Sequence, residues 1–369
     1  MTQDPETAKP ETAKPVPLPY QRLATPGAWY RGFADYLLAV PEGRPLRAMF
    51  PMPTDAAQAL ERHRHVLSRA LLNPPMEQAI AAAIGGYARD RLKMPICPPT
   101  DEGEAIADEI DDRGWSTLPA WDDSAVERLR AALDPLPVFA KQGAARSEAL
   151  SLEAARRHNV AEYKAEDLLR LPEVLSFVTE PTALAATERY LGAPPMLIAL
   201  VAWWSFPGHE ARDAQRFHLD IDDHRFVKHF LYLTDVDETS GPHAYVERTH
   251  RPRDYGAIIG QGRGETERKR LFEWLFQTLR KSDADVARHT GRHATRITGP
   301  AGTRFLAMTR GLHKGVAPEK RARLLIQATY GISPASAKRL ADVPASALPP
   351  GLFAPPTDAL LWLFVDRAR

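Results

Sequence analysis

From Met196 onward the chain becomes a series of short apolar runs parted by turn residues: MLIALVAWWSF (196–206), FHLDI (217–221), RFVKHFLYLTDV (225–236) and PHAYVE (242–247). After an interruption the pattern resumes at TRFLAMT (303–309) and RARLLIQATYG (321–331). Short strands separated by Gly, Pro and Asp favour an all-β sandwich or barrel. The last run also says which way it faces. Arg321, Arg323, Leu325, Gln327 and Thr329 alternate with Ala322, Leu324, Ile326, Ala328 and Tyr330. The second set is apolar and belongs against a core; the first is polar and belongs in a cavity.

The remainder reads as helices and tails. Residues 1–19 repeat ETAKP in a polar context that cannot bury enough apolar surface to offset ordering, which predicts a disordered tail. Residues 20–110 read as a helical N-terminal extension, with Ala, Leu and Ile at helical spacing over 55–92 and a break at Pro74-Pro75. The acidic stretch 100–111 looks like a linker. Helices are predicted near 123–133, 165–176 and 179–191, the last capped by Gly192. The β domain spans 111–335 and is interrupted at 251–298 by a basic helical insertion, read as a lid over the site. A proline-rich tail, 336–369, carries one apolar segment (360–364) expected to pack on the domain.

A net charge of +1 gives no reason to expect nucleic acid or an anionic membrane as partner. One cysteine, Cys97, excludes a disulfide framework and any multi-cysteine metal site within the chain. No apolar run reaches the length of a membrane span, and no charged segment followed by an apolar core opens the chain. The expectation is a soluble, cytoplasmic protein acting on a small molecule, with the oligomeric state open.

Within FHLDI, His218 and Asp220 are two apart, so on a strand they point to one face and can grip one ion. Imidazole and carboxylate are two parts of the two-His, one-carboxylate triad that holds non-haem Fe(II). A histidine with an acid two residues on arises by chance about once in a chain of this composition, so the pair alone is weak. The bland alternative is a strand histidine bonded to a neighbouring aspartate at the surface. Downstream, TRGLHKG (309–315) offers His313, and Arg321 and Arg323 follow at the start of the next strand. Lys228, Thr303 and Thr309 are further candidates to touch a bound co-substrate. His224, His229, His243 and His250 crowd the same region and read as polar surface or supporting groups. His63 and His65 do not share a helix face.

The segments LVAWWSFPG…QRFHLDIDDHRFVKHFLYLTDVDETSGPHAYVERTHR (200–251) and PAGTRFLAMTRGLHKGVAPEKRARLLIQATY (300–330) resemble the phytanoyl-CoA dioxygenase family. The resemblance covers roughly 110–335, leaving the insertion unmatched. It implies a mainly β core with helices, a double-stranded β-helix of the jelly-roll, cupin-like kind. It also implies Fe(II), 2-oxoglutarate and O2 as cofactor and co-substrates. His218, Asp220 and His313 fall on the family's iron ligands, and its spacing favours Arg323 over Arg321 for the far carboxylate of 2-oxoglutarate. The implied activity is hydroxylation of a C–H bond with release of succinate and CO2. Desaturation, cyclisation and epimerisation use the same triad, whereas the carboxylate Asp220 disfavours halogenation. A catalytically silent binding or scaffold barrel and a Zn(II) hydrolase are the rivals. The basic insertion (Arg251, Arg253, Arg263, Arg268, Lys269, Arg270) fits either an anionic substrate or a solvated lid.

Overall fold

Strands β1 (Trp115–Leu118), β2 (Phe139–Ala140), β3 (Val160–Glu162), β4 (Met196–Ser205), β5 (Phe226–Tyr232), β8 (Arg304–Ala307) and β10 (Arg323–Gly331) form one antiparallel sheet in the order β1-β8-β5-β10-β4-β3-β2. A second antiparallel sheet joins β6 (His243–Tyr245), β7 (Thr295–Ile297) and β9 (His313–Gly315) in the order β7-β6-β9. The structure, a computed structural model, describes residues 26–41, 44–47, 73–94, 97–141, 148–333, 343–348, 360–361 and 364–366. The expected tail 1–19, the helix before Pro74 and most of 336–369 lie outside the described residues.

The two sheets face each other across Phe230, Tyr232 and Phe305 from the larger and Tyr245 and Ile297 from the smaller. Tyr232 fixes their spacing: its hydroxyl donates to Ile297 O (2.8 Å) and accepts from His243 N (3.0 Å). On β10 the alternation read from sequence holds. Leu324, Ile326, Ala328 and Tyr330 enter a large core shared with the helices, while Arg323, Leu325 and Gln327 line a cavity. Each fully buried side chain of this kind contributes about 1.5–3 kcal/mol, so a one-residue slip of β10 is strongly disfavoured.

The N-terminal helices are part of this core. Trp29, Phe33 and Leu37 on one helix (Pro26–Ala39) and Ile80, Ile84 and Tyr87 on another (Pro74–Asp90) join the cluster that holds β4 and β10. The second helix starts at the Pro74-Pro75 pair, with Asn73 Oδ1 accepting from Met76 N as its cap. The stretch 100–111, expected as a linker, falls in a helix, Asp101–Arg113, with Thr100 at its start. Thr100 caps it, Asp101, Glu102 and Glu104 suit the positive end of its dipole, and Ile106, Ala107 and Ile110 are buried. Its polarity hid a narrow apolar stripe. The helix ends at Gly114 with φ 99°, where a side chain would also meet the Tyr245 hydroxyl. The helix expected over 165–176 is broken before Pro172, which starts a new helix, Pro172–Val178; Gly192 caps Pro181–Leu191 as read. The insertion consists of helices Pro252–Gly260, Glu265–Phe276 and Asp283–Thr290 followed by β7, so its last residues belong to the smaller sheet. Leu360, Leu361 and Phe364 are buried in the large core.

Candidate metal centre

His218 and His313 face each other across two reciprocal backbone bonds, His218 N to His313 O (3.0 Å) and His313 N to His218 O (3.2 Å). This bridge adds residue 218 to the edge of β9, and Asp220 N donates to Thr309 O at 2.9 Å. The segment around Asp220 is therefore extended and pinned without being a full strand. The pairing brings the two imidazoles to 4.2 Å between centroids, with Asp220 beside both. One potential ligand atom from each of the three residues lies within 4.8 Å of the others.

The hydrogen bonds at the back of each ring decide what its front can do. His218 Nδ1 lies 3.0 Å from Arg216 O and His313 Nδ1 lies 2.9 Å from Gly311 O. A carbonyl only accepts, so each Nδ1 carries a proton and, in the neutral ring, each Nε2 presents a lone pair. Those lone pairs face Asp220, His218 Nε2 at 3.6 Å from Oδ1 and His313 Nε2 at 3.3 Å from Oδ2. Burial, then the neighbouring His313, holds His218 down to about 3, which keeps it neutral. Burial opposes ionisation of Asp220, but the Lys228 ammonium beside it overrides this and holds the carboxyl well below the usual range. Two imidazole lone pairs and a carboxylate thus converge on one point, and two imidazoles with a carboxylate suit a divalent transition metal.

Lys228 stands behind this group. Its Nζ donates to Asp220 Oδ2 at 2.5 Å and pairs with Asp222 at 3.0 Å. Burial works against its charge, yet these two carboxylates raise its affinity for the proton.

A cavity of about 650 Å³ is lined by all three residues and also by Lys228, Trp203, Phe230, His243, Gln327 and Arg323. Arg323 is 2% exposed. Its guanidinium donates to Gly241 O and reaches Ser205 Oγ at 3.4 Å, while Nε has no hydrogen-bond partner and no ion pair with an acid exists among the described residues. Burial lowers its affinity for the proton. Gly315 lies against it; a Cβ there would come within 3.1 Å of Nη2. Isolating a charged group in this way costs several kcal/mol, a cost that an arriving carboxylate would offset.

Other sequence candidates land elsewhere. Arg321 precedes β10, is 55% exposed and pairs with Asp237 at the surface, because the strand's alternation starts only at Arg323. Thr303 sits in the turn before β8 and donates to Pro300 O, outside the cavity. Thr309 is buried and holds Asp220 through its backbone carbonyl. Of the two places expected for His224, His229, His243 and His250, polar surface or supporting groups, burial of all four excludes the surface. His229 stacks on Phe177 at 4.3 Å, and His243 stacks on His313 at 5.5 Å inside the cavity wall. The basic residues singled out on the insertion do not reach the cavity; Arg251 pairs with Asp254 and Asp111. Arg280 is the insertion's cation that does reach it. Sequence missed Ser205 as Arg323's neighbour, which only the β4–β10 register reveals.

Arg310 ties the surroundings together. It is buried, pairs with Glu77 of the N-terminal helix at 3.0 Å, and donates to the carbonyls of Asp223 and His224 just after Asp220. Its own carbonyl accepts from Tyr255 of the insertion at 3.0 Å.

No model of a known protein family matches this chain, and no curated protein matches it. Among solved structures, the chain is similar to a non-haem α-ketoglutarate-dependent carbocyclase, SnoK, from nogalamycin biosynthesis. The identity is 17%, covering 63% of this chain and 86% of that one, with a TM-score of 0.41. HygX from Streptomyces hygroscopicus, with nickel and 2-oxoglutarate bound, is 16% identical over 63% of this chain and 87% of that one, at a TM-score of 0.41. AviO1 from Streptomyces viridochromogenes is 15% identical over 63% and 96%, at 0.38. These likenesses are distant, and the functional reading has to stand on the cavity itself.

Proposed function

We propose that this chain is a non-haem Fe(II) enzyme that uses 2-oxoglutarate and O2 to oxidise a small molecule. The observation that carries this reading is one cavity with two unmet needs: converging acceptors from His218, Asp220 and His313, and a buried guanidinium, Arg323, without an acid. A metal answers the first and a carboxylate the second. A 2-oxo dicarboxylic acid answers both, by chelating the metal at one end and meeting the planar fork of Arg323 at the other. Bound iron with its co-substrates supplies the oxidising power, with succinate and CO2 released; hydroxylation of a C–H bond is the outcome the unmodified triad most simply supports.

The protein's own contribution is positional. The backbone bridge between His218 and His313 fixes both rings, and the carbonyls of Arg216 and Gly311 set their tautomers. Lys228 orients Asp220. Phe230, Trp203 and Leu325 wall the cavity and limit water near the reacting atoms. The two facing sheets correspond, in this reading, to the double-stranded β-helix, and the helices of 251–298 to a cover beside the site. A zinc hydrolase would leave Arg323 without a purpose. Succinate formed from 2-oxoglutarate in the presence of Fe(II), and lost in His313→Ala, is the test. Iron-independent turnover, or none with any candidate substrate, would sink the reading.

A further inference from the structure

We propose that the substrate of this site is an organic anion with an apolar body, seated in a second groove beside Asp220 with its charge at Arg280 and Lys281. The identity of the occupant as substrate rests on the oxygenase reading; the groove rests on its own observations. It encloses about 290 Å³ and shares Asp213, Asp220 and Arg280 with the main cavity, so whatever fills it lies next to the triad.

Its walls are apolar where apolar groups are otherwise hidden. Ile221 is 46% exposed and Leu279 is 79% exposed, two of the three strongly exposed large hydrophobic residues among those described, and both line this groove with Leu275 and Phe276. Exposed apolar residues grouped beside a polar cavity mark a binding surface more often than scattered ones do.

The charged end lacks its counterpart. Lys281 is buried; its Nζ donates to Thr278 O at 2.7 Å and meets no acid among the described residues. Burial, then the neighbouring Arg280, pulls it down to about 8. Arg280 likewise has no acidic partner there and reaches both cavities. Of the acids on the wall, Asp220 is held by Lys228 and Asp213 is exposed at the edge. Arg310, also on the wall, is taken by Glu77. Two adjacent cations that meet no acid among the described residues, Lys281 having only Thr278 O and the face of the Trp274 ring (5.6 Å), disfavour a cationic or neutral occupant relative to a carboxylate, sulfonate or phosphate that meets both. The backbone bond from Lys281 N to Phe217 O (2.8 Å) places this end immediately before ligand residue His218.

Calorimetric titration of the full chain, without added metal, with octanoate, octan-1-ol and octylamine tests this. Octanoate should bind about tenfold more tightly than octanol, as a charge-assisted contact gives, with octylamine weakest. Arg280→Gln, at an exposed position, should remove part of that preference, and Arg280→Gln with Lys281→Gln should remove all of it. Ile221→Ser should weaken octanoate and octanol alike. Equal affinities, no octanoate binding, or a preference that survives the double variant overturn the proposal; the last would put the anion at Arg323. Iron retention, measured separately, keeps the two readings apart. A wild-type chain that prefers octanoate but holds no iron contradicts the oxygenase, whereas one that holds iron and ignores octanoate contradicts the groove.

Discussion

The cavity holds two buried cations in opposite circumstances. Lys228 is enclosed by Asp220 and Asp222 and is compensated by the chain itself. Arg323 is equally enclosed but has only Gly241 O and Ser205 Oγ. A fold that compensates one buried charge and leaves another bare has distributed its work: the Lys228 end is built to hold its own residues in place, and the Arg323 end to receive something from outside. Charge compensation, more than proximity to a cavity, separates supporting groups from binding groups here.

The largest effect should come from the triad. Asp220→Ala removes the only carboxylate among the three and leaves Lys228 with Asp222 alone, so iron retention and product formation should both be abolished. Metal analysis after gel filtration reads the first directly, and normal iron content in that variant would remove Asp220 from the centre. Next, Arg323→Ala should weaken 2-oxoglutarate binding about a hundredfold, the value of a desolvated charge-assisted pair of hydrogen bonds. A loss of a few-fold only would mean that the bare guanidinium is not the receiving end.

Lys228→Met tests the other half of the comparison. It leaves two buried or half-buried carboxylates facing each other, which should cost about 3 kcal/mol of stability in the metal-free protein. Mn(II) should restore most of it, since a metal at the triad compensates Asp220 in the lysine's place. Urea unfolding with and without Mn(II) decides this; a deficit indifferent to metal would assign Lys228 to packing alone.

The pH dependence is smaller. His229 and His250 are buried, and burial depresses both, His250 to about 4. In the unfolded chain they titrate near the ordinary histidine value, so below about pH 6.5 the unfolded state binds protons that the folded state does not. Stability is therefore full above that pH and falls as pH drops toward the folded values, by about 1.4 kcal/mol per pH unit for each histidine. His229→Phe, which keeps the ring against Phe177, should flatten the slope between pH 6 and 5; an unchanged slope would show that His229 does not contribute to it. Smallest of all, Arg321→Ala should alter 2-oxoglutarate binding by less than about twofold, since its partner is a surface aspartate.

What the sequence could reveal followed its periodicities. The period-two alternation on 323–330 placed Arg323 in the cavity and Leu324, Ile326 and Tyr330 in the core. It failed two residues earlier, at Arg321, because alternation says nothing about where a strand begins. The i, i+2 spacing of His218 and Asp220 and the distant His313 were legible as candidates, and the backbone bridge is what brings them together. The stretch 100–111 reads as a linker because, in the helix Asp101–Arg113 that it forms, eight charged side chains outweigh a buried stripe of three apolar ones. For His224, His229, His243 and His250 the sequence left surface and supporting positions open, because polarity alone does not separate them; the packing of His229 on Phe177 and His243 on His313 does. Arg280's place in the cavity wall and Ser205's place beside Arg323 became visible only through tertiary neighbours that lie far from them in sequence.

The central claim is that one ligand bridges a metal at His218, Asp220 and His313 and the guanidinium of Arg323. It is tested most directly by titrating 2-oxoglutarate and glutarate into the protein with and without Mn(II). Glutarate lacks the 2-oxo group and can use only the arginine end well. Tight, metal-dependent binding of 2-oxoglutarate, with glutarate weak and nearly indifferent to the metal, is the predicted result. Binding of 2-oxoglutarate that does not change when the metal is removed would contradict it.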